Sequence, residues 1–251
     1  MAKRSGRIYF LDEIRALALI GMIVYHTAYD LRYLFGVSFD FQAAGWNILQ
    51  KAVCCTFIVI AGISTRLSKN VLKHGIIVFA AGLLMTAGTA FFMPDQIIVF
   101  GILHFLGISM MIAYLFRKGI QKANAPLGIL FSAALFAASL GINRGTVCFG
   151  KVLVPPLFYA NVLTAILGFP PKGFASADYF PLLPWFFLFL AGCFLGKCFK
   201  ERKIPDFFSK QHSRFLSVIG SNTLVIYILH QPVIYAVLTL IFWLIEKGSQ
   251  P

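Results

Sequence analysis

The feature that most constrains this chain is a series of long apolar stretches separated by short polar turns. They run Leu11 to Phe35, Trp46 to Leu67, Val71 to Met93, Ile97 to Phe116, Leu127 to Ile142, Pro181 to Phe199 and Phe215 to Ile245. A helix crosses the hydrocarbon core of a bilayer with roughly 20 such residues, and only the fifth stretch falls short. Turn and breaker residues separate them: Gly36, Pro94-Asp95, Asn124 to Pro126, Pro170-Pro171-Lys172-Gly173 and Lys203 to Asp206. With 59% hydrophobic and 12% charged residues, a water-soluble domain could not keep a polar exterior. The expectation is an all-α integral membrane protein, one domain over residues 1–251, built as a polytopic bundle of about seven transmembrane helices.

A formal charge of +13 is also what a nucleic-acid binder shows, so the placement of the basic residues decides its meaning. With the N-terminus cytoplasmic, the inner segments collect Lys3, Arg4, Arg7, Arg66, Lys69, Lys73, Arg117, Lys118, Lys122, Lys197, Lys200, Arg202, Lys203, Lys210 and Arg214. Six lie outside (Arg32, Lys51, Arg144, Lys151, Lys172, Lys247) and Arg15 lies within the first stretch. This is the positive-inside pattern, so the charge orients the chain in the membrane and no nucleic-acid partner is expected. Between Gly145 and Asp178 the apolar run Val152 to Phe169 is broken by Pro155-Pro156. An eighth crossing there would put the basic 197–214 loop outside, so the segment is expected to be re-entrant or on the outer surface.

Lys3-Arg4-Arg7 before an apolar run imitates a signal peptide, but Asp12, Glu13, Arg15 and His26 interrupt the run, which is expected to stay in the mature chain. The five cysteines form no CxxC pair and read as packing residues, and no HExxH or short His/Cys spacing points to a metal. No internal repeat of the kind found in many transporters is visible.

The chemical signal lies on the first stretch. With Asp12 at zero and 100° per residue, Arg15 falls at about −60°, His26 at about −40° and Asp30 near 0°. Four ionisable groups therefore share one face, with His26 and Asp30 one turn apart. Ionisable groups within a bilayer are costly unless paired or wetted, and they mark interior faces and functional sites. Asp12 and Arg15 also fit a structural ion pair at the interface, and His26 with Asp30 fits a structural histidine. His104 and His230 are intramembrane as well; for either alone a helix-to-helix hydrogen bond is the plain role. His74 and His212 fall at cytoplasmic ends and are expected to be solvated.

Arg15 and His26, with ten residues between them after Leu11-Asp12, resemble the Arg-x10-His signature of the acyltransferase-3 group. The whole chain is more similar to the catalytic-domain family of heparan-alpha-glucosaminide N-acetyltransferase, in its short bacterial form. The resembling blocks are Leu11 to Leu31, Phe57 to Ser64, Phe100 to Ser109, Tyr179 to Gly196 and Gly220 to Val233. The resemblance implies transfer of an acetyl group from cytoplasmic acetyl-CoA to an amino-sugar or glycan acceptor across the membrane, in a bacterial plasma membrane. In the animal enzyme the catalytic histidine stands three residues before a Trp-Asn pair. Here that pair is Trp46-Asn47 and the position is Ala43, which shifts the catalytic expectation to His26.

Under that chemistry His26 is the base and Asp30 fixes its tautomer, while Asn47, His104 or Tyr29 offers oxyanion help. Arg15, Arg66, Lys69 and Lys73 are candidates for the CoA phosphates, and His230 is grouped with the cofactor-binding set. A homo-oligomer is compatible with this reading. Two other readings use the same stripe: a proton-coupled transporter with His26, Asp30 and His104 as a relay, and a non-catalytic assembly partner.

Overall fold

The computed structural model describes residues 8–201 and 205–248. Five of the basic residues used above to orient the chain (Lys3, Arg4, Arg7, Arg202, Lys203) lie outside that range. Among the described residues the fold is all-α, with one two-stranded hairpin. In chain order the elements are α1 (Tyr9–Tyr33), α2 (Ala44–Leu67), α3 (Val71–Phe92), α4 (Ile102–Leu115), α5 (Arg117–Lys122), α6 (Ala125–Ser139), β1 (Thr146–Val147), β2 (Val152–Leu153), α7 (Val162–Leu167), α8 (Leu182–Glu201), α9 (Asp206–Ser209), α10 (Arg214–Ser221) and α11 (Thr223–Gly248).

Among the described residues five helical segments are long and apolar enough to cross a membrane: Ala44–Leu67, Val71–Phe92, Ala125–Arg144, Leu182–Glu201 and Thr223–Gly248. Large apolar side chains such as Leu83, Leu84, Leu130, Phe131, Leu240 and Leu244 stand exposed along three of them, as lipid-facing side chains do. This is a membrane protein. The stretches expected at 11–35 and 97–116 do not meet the same measure. α1 has the length but carries the ionisable face, and α4 has 14 residues, a rise of about 21 Å.

The chain divides into two compact units, residues 1–57 with 204–251 and residues 58–203, the boundary falling within α2. In the first, α1 packs on α9, α10 and α11. The expected single span from Phe215 to Ile245 is two helices here. Ser221 Oγ and Asn222 Nδ2 both donate to the Val218 carbonyl at 2.9 Å, and Thr223 Oγ1 donates to the Gly220 carbonyl at 2.7 Å, so side chains take carbonyls that a continuous helix would use. Gly220 is the contact point with α1. A Cβ there would lie 1.8 Å from the Asp12 carbonyl oxygen, so only glycine permits the approach.

In the second unit α3 pairs with α4, and α6 with α8. α4 begins late because residues 97–101 are held in a non-helical course that bends at Phe100, where φ is +59°. Ile98 N–H donates to Thr89 Oγ1 at 3.0 Å, Thr86 Oγ1 donates to the Ile98 carbonyl at 2.6 Å, and Val99 N–H donates to Ser176 Oγ at 2.9 Å. Asp178 then caps α4, its Oδ2 accepting the Ile102 N–H at 3.0 Å. Burial pushes the Asp178 carboxyl up to about 6, against the opposing pull of that hydrogen bond. Lys197, expected as a topology charge, is buried at 6% exposure and donates to the Gln121 carbonyl at 2.8 Å and to the Ala123 carbonyl, closing the C-terminal end of α5. Residues 145–178 form the β1–β2 hairpin, short helical turns and the six-residue α7, so no helix there is long enough to cross.

Candidate active site

The first unit brings together three of the residues that the sequence singles out. His26 on α1 and His230 on α11 lie with ring centroids 5.0 Å apart, their planes inclined by 59°. Asp30, one turn beyond His26, is fully buried. Its partner is not His26. Both carboxylate oxygens accept from the Gln231 Nε2 amide at 2.9 Å, and among the described residues no hydrogen bond joins Asp30 to His26. The expectation that Asp30 fixes the His26 tautomer is therefore corrected. A carboxylate one turn along its own helix points to the amide of the facing helix, and the bond ties α1 to α11 at the level of the two imidazoles.

His230 has the better-defined imidazole. Its Nδ1 contacts the Tyr227 carbonyl oxygen one turn earlier, and a carbonyl can only accept, so Nδ1 carries the hydrogen. In the neutral ring the lone pair is then on Nε2, which is buried and has no partner. Pro232 follows at once and removes an N–H from the helix ladder beside this pair. Tyr25 packs its edge against His26 at 5.7 Å and adjoins the aromatic group of Phe41 and Trp46, whose rings stack at 5.4 Å. Asn47 is exposed in the first turn of α2.

The N-terminal end of α1 is clamped to α10. Glu13, 5% exposed, accepts from the backbone N–H groups of His212 (2.7 Å) and Ser213 (2.8 Å) and from Ser217 Oγ (3.2 Å), and its second oxygen lies 3.1 Å from His212 Nδ1. His212 is exposed, as expected, and is in addition anchored by these bonds, with its ring tilted at 50° to that of Phe207 and 4.4 Å from it. A neighbouring ion pair joins Arg15 to Asp12 at 2.9 Å, and the same nitrogen reaches the Gly220 carbonyl at 3.3 Å. The Asp12-Glu13-x-Arg15 run consequently has a structural task at the α1–α10 contact. Glu13 is the residue that sequence reasoning passed over, because its donors lie some 200 positions away.

The remaining candidates belong to the second unit. His104 Nε2 is 3.4 Å from Thr86 Oγ1, whose own hydrogen goes to Ile98, so the imidazole is the donor. Its Nδ1 is buried without a partner on the side where Gly82 leaves room, and its ring stacks on Phe100 at 5.9 Å. This is the geometry of an α3–α4 packing histidine. Arg66 ends α2 with a buried Nε that has no partner, while Lys69 and Lys73 are exposed. Among the described residues no three His, Cys, Asp or Glu side chains converge as metal ligands.

Residues 7–232 match the family described as heparan-alpha-glucosaminide N-acetyltransferase, catalytic. The chain belongs to this family. The match covers the His26–His230 pair, the Asp30–Gln231 bond and the Glu13 clamp, so the features of the first unit described above fall within the family region. No curated protein and no solved structure matches the chain. Family membership makes the protein a membrane acyltransferase of the N-acetyltransferase type.

Proposed function

We propose that this protein moves an acetyl group from cytoplasmic acetyl-CoA to an amino-sugar or glycan acceptor on the outer side of a bacterial plasma membrane. The family match over residues 7–232 carries the reading. In the arrangement proposed, α1 and α4 join the five apolar helices to make seven crossings, with the N-terminus cytoplasmic. α1 can cross because its ionisable groups are held by α10 and α11, through Glu13, Arg15 and Asp30, and so do not face lipid.

The reacting centre is assigned to His26. Attack on a thioester needs a proton to leave the acceptor, and an imidazole at the reacting centre can take part in that transfer. Lys69 and Lys73, both exposed, are the proposed partners of the CoA phosphates, with Arg66 beside them in sequence. Arg15 is drawn instead into the clamp. The test is acetyl transfer by purified protein in liposomes, followed as CoA thiol release with amino-sugar acceptors. His26→Ala should abolish turnover while acetyl-CoA binding persists. Normal turnover in the variant would remove His26 from the reaction, and uptake of a solute driven by a pH gradient without acetyl-CoA consumption would replace the enzyme reading by a transporter.

A further inference from the structure

We infer that His230 is the proton acceptor of the transfer step, with Gln231 and Asp30 as the positioning residues that hold it opposite His26. The inference rests on the acetyl-transfer reading above and goes beyond it by assigning a second histidine to the site. Four observations carry it. His230 is buried at 7% exposure. Its Nδ1–H is committed to the Tyr227 carbonyl, so the neutral ring presents its lone pair at Nε2. That nitrogen has no protein partner. The ring stands 5.0 Å from that of His26. His104 also has an unpartnered buried nitrogen, but its other nitrogen reaches Thr86 on the facing helix, as a packing histidine does; among the described residues the His230 ring makes no hydrogen bond to another helix, and it stands beside a second imidazole. His230 spends one nitrogen on its own helix and keeps the basic one bare in the direction of no acceptor or donor of the chain.

The carbonyl partner does for His230 what a carboxylate does in a catalytic triad: it fixes the tautomer and accepts the hydrogen of the imidazolium that forms. Asp30 acts one step further out. It receives the Gln231 amide on both oxygens, and Gln231 is the next residue in the chain after His230, so the bond fixes the height and rotation of α11 relative to α1 where the two rings meet. The acceptor nitrogen or oxygen forms a bond to the thioester carbonyl carbon while its proton passes to His230 Nε2. The carbon–sulfur bond then breaks, CoA departs as thiolate, and the imidazolium returns the proton to that sulfur, directly or through His26. The products are acetylated acceptor and CoA thiol.

Two measurements test the assignment. In the transfer assay His230→Gln, whose amide can still donate to the Tyr227 carbonyl, should lower kcat by about 10²- to 10⁴-fold, the usual weight of a general base. The KM for acetyl-CoA should change by less than about twofold under the same reasoning. Asp30→Ala should lower kcat as well, and Asp30→Asn, which still accepts from Gln231, should restore most of it. Turnover of His230→Gln within threefold of the parent protein, or an unrescued Asp30→Asn, overturns the proposal. The second measurement needs no turnover. Nitrogen-15 spectroscopy of histidine-labelled protein, with His230→Gln to assign the signal, should show His230 as the neutral tautomer protonated on Nδ1. An Nε2-protonated ring overturns the proposal whether or not the protein is active. If the parent protein itself transfers no acetyl group, the failure belongs to the acetyl-transfer reading, and the tautomer still judges His230.

Discussion

Replacing Glu13 by Ala removes one carboxylate and leaves four donors facing a gap. Its two oxygens accept the backbone N–H groups of His212 and Ser213, the Ser217 hydroxyl and the His212 ring, all at 2.7 to 3.2 Å, with the side chain 5% exposed. Hydrogen bonds to a charged group contribute roughly 1.5–3 kcal/mol each, and buried donors left without an acceptor add about 1–3 kcal/mol. These contributions share one acceptor and do not add in full, so the expected loss is about 3–5 kcal/mol. For a chain of this size each kcal/mol lowers Tm by about 2–4 °C, which puts the loss at roughly 6–20 °C. Thermal unfolding in detergent, followed by cysteine accessibility at the buried Cys193 and by circular dichroism, reads it directly. Ser217→Ala serves as the internal scale, since it removes one of the four bonds and should cost about 1 kcal/mol. A Glu13→Ala protein within 2 °C of the parent would refute the clamp, because no set of four charge-assisted bonds to a buried carboxylate can be that cheap to delete.

Three further outcomes follow from the same geometry. Asp178 has its carboxyl raised by burial from an ordinary 3.8 to about 6, so the folded state holds the proton more tightly than the unfolded chain. The resulting stabilisation is complete below about pH 4 and is lost as pH rises through about 6, a change of no more than about 3 kcal/mol. Asp178→Asn, which keeps an acceptor for Ile102 N–H, should flatten that slope in a pH series of unfolding midpoints; an unchanged slope would place the titration elsewhere. Gly220→Ala must push α10 away from the Asp12 carbonyl and should cost about 1–3 kcal/mol, checked by the same unfolding assay, with parent-like stability as the contrary result. The double change Lys69→Gln and Lys73→Gln should raise the KM for acetyl-CoA by about fivefold or more with kcat little altered, since each lost phosphate contact is worth about 0.5–1 kcal/mol at an exposed site. An unchanged KM would remove both lysines from CoA recognition.

Much of the architecture was legible because apolar run length is a bilayer's own requirement. The stretches at 46–67, 71–93, 127–142 and 181–199 correspond to helices of nearly those bounds. What escaped was caused by side chains far away in sequence. Nothing local marks Ile97 to Gly101 as non-helical; Thr86, Thr89 and Ser176 hold it, and Asp178 sets where α4 starts. The break after Ser221 was closer to the surface of the sequence, since Ser-Asn-Thr is a run of side chains that compete for backbone carbonyls. In the site, helical periodicity correctly placed His26 and Asp30 on one face. It could not say that Asp30 turns to Gln231, 201 positions on, because periodicity relates residues within one helix and is silent about the facing one. His230 was visible as an intramembrane histidine. Its lone pair became visible only with the Tyr227 carbonyl, although Tyr227 at i−3 could have suggested it.

The claim on which the rest depends is that the folded protein binds acetyl-CoA as a substrate, and thermal stability of the purified protein with acetyl-CoA, free CoA and ATP tests it most directly. A ligand that binds only the folded state at 100 times its Kd stabilises it by about 2.7 kcal/mol, or roughly 5–10 °C in Tm at this size. The account predicts such a shift with acetyl-CoA, a comparable one with CoA and little with ATP. No shift at millimolar acetyl-CoA, or an equal shift with ATP, would contradict it.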